Sequence, residues 1–271
     1  MTSESWNFYP QAVSKVQMLE ICHLTKRFQG VTAVSDVNFT IRPGEILGYI
    51  GPNGAGKSTT VKMIVGLLEP SDGQILFDGR SVVDDLPAFQ RRLGYVPEEP
   101  NLYPHLSGIE YLQLVGRLRG LPLKMLEPKI EEFLHIFSLW DDRHCALSSY
   151  SKGMRQKVLL SAGLLHNPDL LIWDEPLSGL DVTTALVLRE LLESLARQGK
   201  MIFYCSHVLE VLEKVCSSVL ILSKGRVVAH DTIDRLREQM QERSLEGIFA
   251  QLTRDENHPA VANRIVEAMR A

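Results

Sequence analysis

Apolar and polar residues alternate from Met18 to Leu24 and again from Val37 to Ile41, the period of a strand with one buried face. Short β-leaning runs predict further strands at Glu45 to Ile50, Gln74 to Gly79, Leu93 to Pro97, Leu170 to Trp173, Met201 to Cys205 and Val219 to Leu222. Turn residues separate them: Arg42 to Glu45, Glu69 to Gly73, and Ser223 to Arg226, the last closing a hairpin. Helical spacing of apolar residues marks Thr59 to Leu68, Ile109 to Leu118 and Glu131 to Phe137. An amphipathic helix runs from Thr184 to Gln198 and is stopped by Gly199. Between Glu98 and His166 the β signal fades, so the alternation is interrupted by a helical insertion of about seventy residues. Strands that alternate with helices imply an α/β fold with a largely parallel sheet covered on both faces. The segment beyond Asp231 reads as helical, and no internal repeat or low-complexity tract is present.

Composition narrows the class without changing the pattern. The 271 residues carry a net charge of −4, so no basic footprint argues for nucleic acid, and clusters such as Arg91 and Arg92 read as solvated surface. The four cysteines (Cys22, Cys145, Cys205, Cys216) lack C-x-x-C spacing and fit free thiols in a reducing compartment. Residues Met1 to Gln17 lack the charged start and apolar core of a signal peptide, and no apolar run reaches the ~18 residues of a membrane span. The expectation is a soluble, cytoplasmic-type protein.

The strongest chemical signal follows the Glu45–Ile50 run. Gly51, Pro52, Asn53, Gly54, Ala55, Gly56, Lys57 and Ser58 match G-x-x-x-x-G-K-[ST] between a predicted strand and a predicted helix that Thr59 opens. Backbone N–H groups of such a loop and the positive end of the helix dipole converge on a phosphate chain. Lys57 would reach the β- and γ-phosphates, and the Ser58 hydroxyl would ligate Mg²⁺. A phosphate loop needs a metal-holding carboxylate at the end of a neighbouring strand, and Leu170 to Trp173 end in Asp174 and Glu175. Asp174 is the candidate Mg²⁺ holder through water, and Glu175 could polarise an attacking water.

These features, with others in fixed order, make the chain resemble the nucleotide-binding subunit of an ATP-binding cassette (ABC) transporter over residues 18–230. Tyr150, Ser151, Lys152, Gly153 and Met154 resemble the family's Leu-Ser-Gly-Gly-Gln signature and open a helix. Leu177 to Asp181 resemble the D-loop, Ser206 and His207 the switch histidine, and Phe28 falls where the family stacks an aromatic on adenine. Two departures stand out. The family's usual Gln is Glu98, and the signature reads Tyr-Ser-Lys-Gly-Met while keeping Ser151 and Gly153. Both departures, and the stretch Ser244 to Leu252, resemble the ABC-2 type exporter branch.

The resemblance implies a P-loop NTPase core at 18–97 and 167–230, with an N-terminal antiparallel β subdomain. It also implies a helical subdomain at 98–166 carrying the signature, an N-terminal extension at 1–17 and a helical tail at 231–271. It implies ATP hydrolysis with Mg²⁺ held by Ser58, Asp174 and Glu98, and catalysis by Lys57, Glu175 and His207. Two subunits would sandwich ATP head to tail, with Ser151 to Met154 of one facing the nucleotide of the other and Asp181 in the D-loop between them. The implied partners are a second nucleotide-binding subunit, identical or paralogous, and a polytopic membrane permease docked around Leu102 and Tyr103. The subunit would then lie on the inner face of the cell membrane. A non-transport ABC ATPase and a regulatory ATP-binding module are the alternatives.

Overall fold

A computed structural model describes residues 18–253 and 267–269. The expected extension at 1–17 and most of the tail beyond Thr253 lie outside the described residues. The alternating N-terminal run forms a long antiparallel pair, β1 (Leu19–Phe28) and β2 (Val31–Ile41). β1 also pairs with β4 (Asp72–Phe77), and β4 with the short β5 (Arg80–Ser81), giving a four-stranded antiparallel sheet ordered β2-β1-β4-β5.

The second sheet has six strands in the order β10-β9-β3-β8-β7-β6. Its members are β3 (Ile46–Ile50), β6 (Leu93–Val96), β7 (Leu170–Asp174), β8 (Met201–Cys205), β9 (Ser218–Ser223) and β10 (Arg226–Thr232). From β9 across to β6 every pairing is parallel; β10 adds an antiparallel edge through the expected hairpin. Every residue of β3, β7 and β8 is buried, as parallel strands covered on both faces must be.

Helices cover the sheet. They are α1 (Lys57–Ile64), α2 (Leu86–Arg91), α3 (Gly108–Leu118), α4 (Leu123–Ile136), α5 (Lys152–Leu164), α6 (Val182–Arg197), α7 (Leu209–Val215), α8 (Ile233–Met240) and α9 (Leu245–Leu252). The crossover between the neighbouring strands β6 and β7 carries α3, α4 and α5. Ser107 starts α3 with a capping box: its hydroxyl accepts from Glu110 N–H while the Glu110 carboxylate accepts from Ser107 N–H.

Alternation along β3 divides the core in two. Ile46 and Ile50 face the cluster shared with α3, α4, α5 and α9, where Leu112, Leu126, Leu160 and Ile248 are buried. Leu47 and Tyr49 face the cluster between the two sheets. There Phe39 of β2 stacks on Phe203 of β8 with ring centroids 5.5 Å apart, and Tyr49 meets Phe203 at 4.9 Å.

Several expectations need correcting. α1 starts at Lys57 rather than Thr59 and ends at Ile64 rather than Leu68, because its chain turns at Gly66 with φ +78°. Arg92 is not free surface. Its Nη1 lies 2.6 Å from Asp78 Oδ2, its Nε 2.6 Å from Asp169 Oδ2, and its guanidinium carbon 4.5 Å from the centroid of Phe77. Asp78 belongs to the antiparallel sheet's β4–β5 turn and Asp169 precedes β7, so this one side chain ties the two sheets together. Leu102 turns inward and packs against the core, leaving Tyr103 as the exposed member of that pair.

Candidate active site

The parallel strands deliver their carboxyl ends to one edge of the sheet, where ligands bind in open α/β folds. β3 ends in the phosphate loop, β8 in Ser206 and His207, β7 in Asp174 and Glu175, and β6 is followed by Glu98. Because these four strands are adjacent, residues far apart in the chain surround one cleft of about 250 Å³. Asn53, Lys57, Ser58 and Thr59 form one wall, and Glu98, Asp174, Glu175 and His207 the other.

The loop is held open by its own geometry. Gly56 precedes α1 with φ +108°, and a Cβ there would stand 2.5 Å from the Ala33 carbonyl oxygen, so only glycine fits. Thr60 Oγ1 donates to the Gly56 carbonyl at 3.1 Å and accepts from the buried Tyr49 hydroxyl at 3.0 Å, which fixes the first turn of α1. Lys57 Nζ donates to the carbonyls of Gly51 at 2.6 Å and Pro52 at 3.2 Å, within the loop it serves.

The acids of the opposite wall differ in environment. Asp174 is 6% exposed, and its carboxyl is pushed up to about 6. Burial is the largest cause, followed by repulsion from Glu98 and Glu175; Lys57 opposes the rise. Glu175 has left-handed backbone geometry, φ +48°, unusual for a side chain of its size. The conformation is held from several sides. Its N–H donates to the Cys205 carbonyl at 2.9 Å. Oε1 accepts from the His207 N–H at 2.7 Å and lies 2.7 Å from His207 Nδ1. Oε2 accepts from Ser206 Oγ at 3.0 Å.

Phe28, Ser151 to Met154 and Asp181 do not line this cleft. Phe28 ends β1, is 44% exposed, and has the Lys26 ammonium 5.3 Å from its ring centroid. Ser151 caps α5 by accepting from Met154 N–H at 3.2 Å. The start of α5 is fastened to residues 176–181. Lys152 Nζ donates to Ser178 Oγ at 2.7 Å, Gln156 Nε2 to the Pro176 carbonyl at 3.2 Å, and Lys157 Nζ lies 3.3 Å from Asp181 Oδ2. Gly153 lies so near that a Cβ would meet the Gly179 oxygen at 2.5 Å. Asp181 in turn caps α6, accepting from Thr184 N–H at 2.8 Å, and this holds its carboxyl well below the usual carboxylate range.

Sequence reading missed the roles of Ser206, Ser178 and Lys157. Ser206 is legible only as the neighbour of the switch histidine, which says nothing of its bond to Glu175, and the partners of the other two lie on a different element.

A cleft with a phosphate loop on one wall and carboxylates on the other defines a P-loop NTPase of the α/β class. The family model described as "ABC transporter" matches residues 34–178. The ABC transporter ATP-binding protein NatA of Bacillus subtilis (strain 168) is 37% identical over 237 residues, covering 86% of this chain and 96% of that protein. The Nod factor export ATP-binding protein I of Cupriavidus pinatubonensis is 34% identical over 221 residues, covering 80% of this chain and 68% of that protein. A solved structure described as the ATP binding subunit of an ABC transporter superposes with a TM-score of 0.82 at 35% identity, covering 87% of this chain and 99% of that one. The chain belongs to the ABC transporter family, as its ATP-binding and ATP-hydrolysing subunit. Among the described residues no helix is long and apolar enough to cross a membrane.

Proposed function

We propose that the cleft holds ATP with Mg²⁺ and that Glu175 is the general base that activates water. The observation that carries this reading is the Glu175 carboxylate, fixed by His207 and Ser206 on the wall facing the phosphate loop. The loop N–H groups, the start of α1 and Lys57 would bind the phosphates. Lys57 already lies within hydrogen-bond reach of two loop carbonyls and can exchange them for phosphate oxygens. His207, 75% exposed, is free to turn toward the γ-phosphate. Phe28 would stack on adenine from the end of β1.

The donor set fits a hard divalent cation. Glu98 and Glu175 both raise the Asp174 carboxyl, a repulsion that a cation beside Asp174 would relieve. Ser58, Asp174 and Glu98 would hold Mg²⁺, which when bound supplies charge neutralisation to the transferring phosphoryl group. Among the described residues no three His, Cys, Asp or Glu side chains form a metal cage by themselves, so the phosphates would complete the site.

The nucleotide is shared between two subunits in this reading. Ser151 to Met154 of one subunit would close over the cleft of the other, with Asp181 beside them, and ATP would bias an open–closed equilibrium that drives a membrane permease. The exposed Tyr103 is the candidate contact with that permease, on the cytoplasmic face of the membrane. Similarity to a Nod factor export protein favours export as the direction.

Glu175→Gln tests the base assignment. ATP turnover should fall by about 10²–10⁴-fold, the usual contribution of a general base, while ATP affinity stays within about twofold. Size-exclusion chromatography with ATP should then show an accumulating dimer. Turnover near the wild-type rate would overturn the assignment.

A further inference from the structure

The two oxygens of the Glu175 carboxylate are held by different kinds of partner. Both contacts to Oε1 come from His207: the backbone N–H, which stays with the chain, and ring Nδ1, on a side chain that is 75% exposed and so free to leave. The single contact to Oε2 comes from Ser206, which is 4% exposed. The Ser206 hydroxyl is itself fixed, because its oxygen accepts from the Val208 N–H at 3.1 Å where the chain enters α7. Its one proton therefore has a defined direction, toward Glu175.

Glu175 needs such an anchor. Its left-handed backbone, φ +48°, gives the side chain a direction that an ordinary strand end would not, and that geometry lasts only while surrounding contacts enforce it. A base must also keep one oxygen available to take a proton, within about 3 Å of the reacting water. Oε1 can be that oxygen only if the His207 ring contact is exchangeable, leaving the backbone N–H in place, and Oε2 is held independently.

We propose that Ser206 is the positioning residue of this site. It anchors Glu175 through Oε2 in every state and, with the His207 backbone N–H on Oε1, keeps the carboxylate from swinging away when the His207 ring exchanges Oε1 for the γ-phosphate. Ser206 touches neither nucleotide nor water; it acts through Glu175. The proposal rests on the reading of Glu175 as the base.

The test compares Ser206→Ala, Ser206→Cys and Ser206→Thr with Glu175→Gln, measuring steady-state kcat and KM for ATP, affinity for a fluorescent ATP analogue, and Tm. Cysteine keeps the side chain's shape but donates weakly, and threonine keeps the hydroxyl. Loss of a hydrogen bond to a charged group should lower kcat by about tenfold or more in Ala and Cys. KM and analogue affinity should stay within about twofold, because substrate binding is not touched. Threonine should recover at least about half of the wild-type kcat, since the donor is restored.

If Ala and Cys keep wild-type kcat while Glu175→Gln is inactive, Ser206 has no positioning role and the base assignment stands. If Glu175→Gln is also active, the underlying reading has failed instead. A kcat loss that threonine leaves unrepaired, or one that follows a fall in Tm, would assign Ser206 only to the start of α7 and overturn the proposal.

Discussion

His166, two residues beyond α5, lies with Nε2 3.0 Å from the Leu93 carbonyl, so Nε2 carries the proton. Its Nδ1 is buried without a partner among the described residues. Burial, followed by repulsion from Arg119, lowers its pKa to about 4. A histidine kept neutral by the fold contributes stability that is present above its ordinary value near 6.5 and is lost as pH falls from there toward 4, because only the unfolded chain takes up the proton. Urea unfolding at pH 7 and pH 4.5 should therefore show His166→Gln losing about 2 kcal/mol less stability than the wild type across that interval. At this scale legibility follows how local the chemistry is. Gly51 to Ser58 are readable because a phosphate cradle is built from consecutive backbone N–H groups. The strained φ of Glu175 and the direction of the Ser206 hydroxyl depend on contacts between β7 and β8, which no local pattern encodes.

The start of α5 and the segment before α6 behave as one unit, because three side chains and a glycine–glycine approach join them. Lys152 is the notable member. It replaces a glycine of the signature pattern, its stem passes over Gly179, and its ammonium reaches Ser178. Lys152→Met keeps the stem and removes the donor. Cooperative ATP hydrolysis, measured against protein concentration, should fall by about 3–10-fold, while nucleotide affinity of the isolated subunit is unchanged. The double variant with Ser178→Ala should be no worse than either single variant, since both remove the same bond. Elements were legible where burial imposed a clear pattern. β3, β7 and β8 announce themselves as apolar runs because both faces are covered. α2 and α7, with six and seven residues, are too short to establish a helical period, and both were missed.

Across the whole molecule, Arg92 is a polar link between the antiparallel sheet and the parallel one, added to the apolar cluster they share. Arg92→Met would leave Asp78 and Asp169 partly buried without their partner, although Lys200 remains 3.7 Å from Asp169. With the Arg92 side chain 34% exposed, solvent screening trims the effect to about 1–2 kcal/mol, a fall in Tm of about 2–6 °C by differential scanning calorimetry. Nothing in the sequence set this arginine apart from its neighbour Arg91. Its partners come from a β-turn before it and a loop far beyond it, and only the packed sheets bring them together. The strand order of the parallel sheet has one more consequence. β3 lies between β8 and β9, both made long after it. As the chain leaves the ribosome, Ile46 to Ile50 emerge as an apolar segment with neither edge paired; one edge waits until Cys205 has been added and the other until Ser223. The cleft proposed to hold ATP can thus close only late in synthesis. A chain that stops short of β9 presents the folding machinery with a sticky strand rather than a smaller working enzyme.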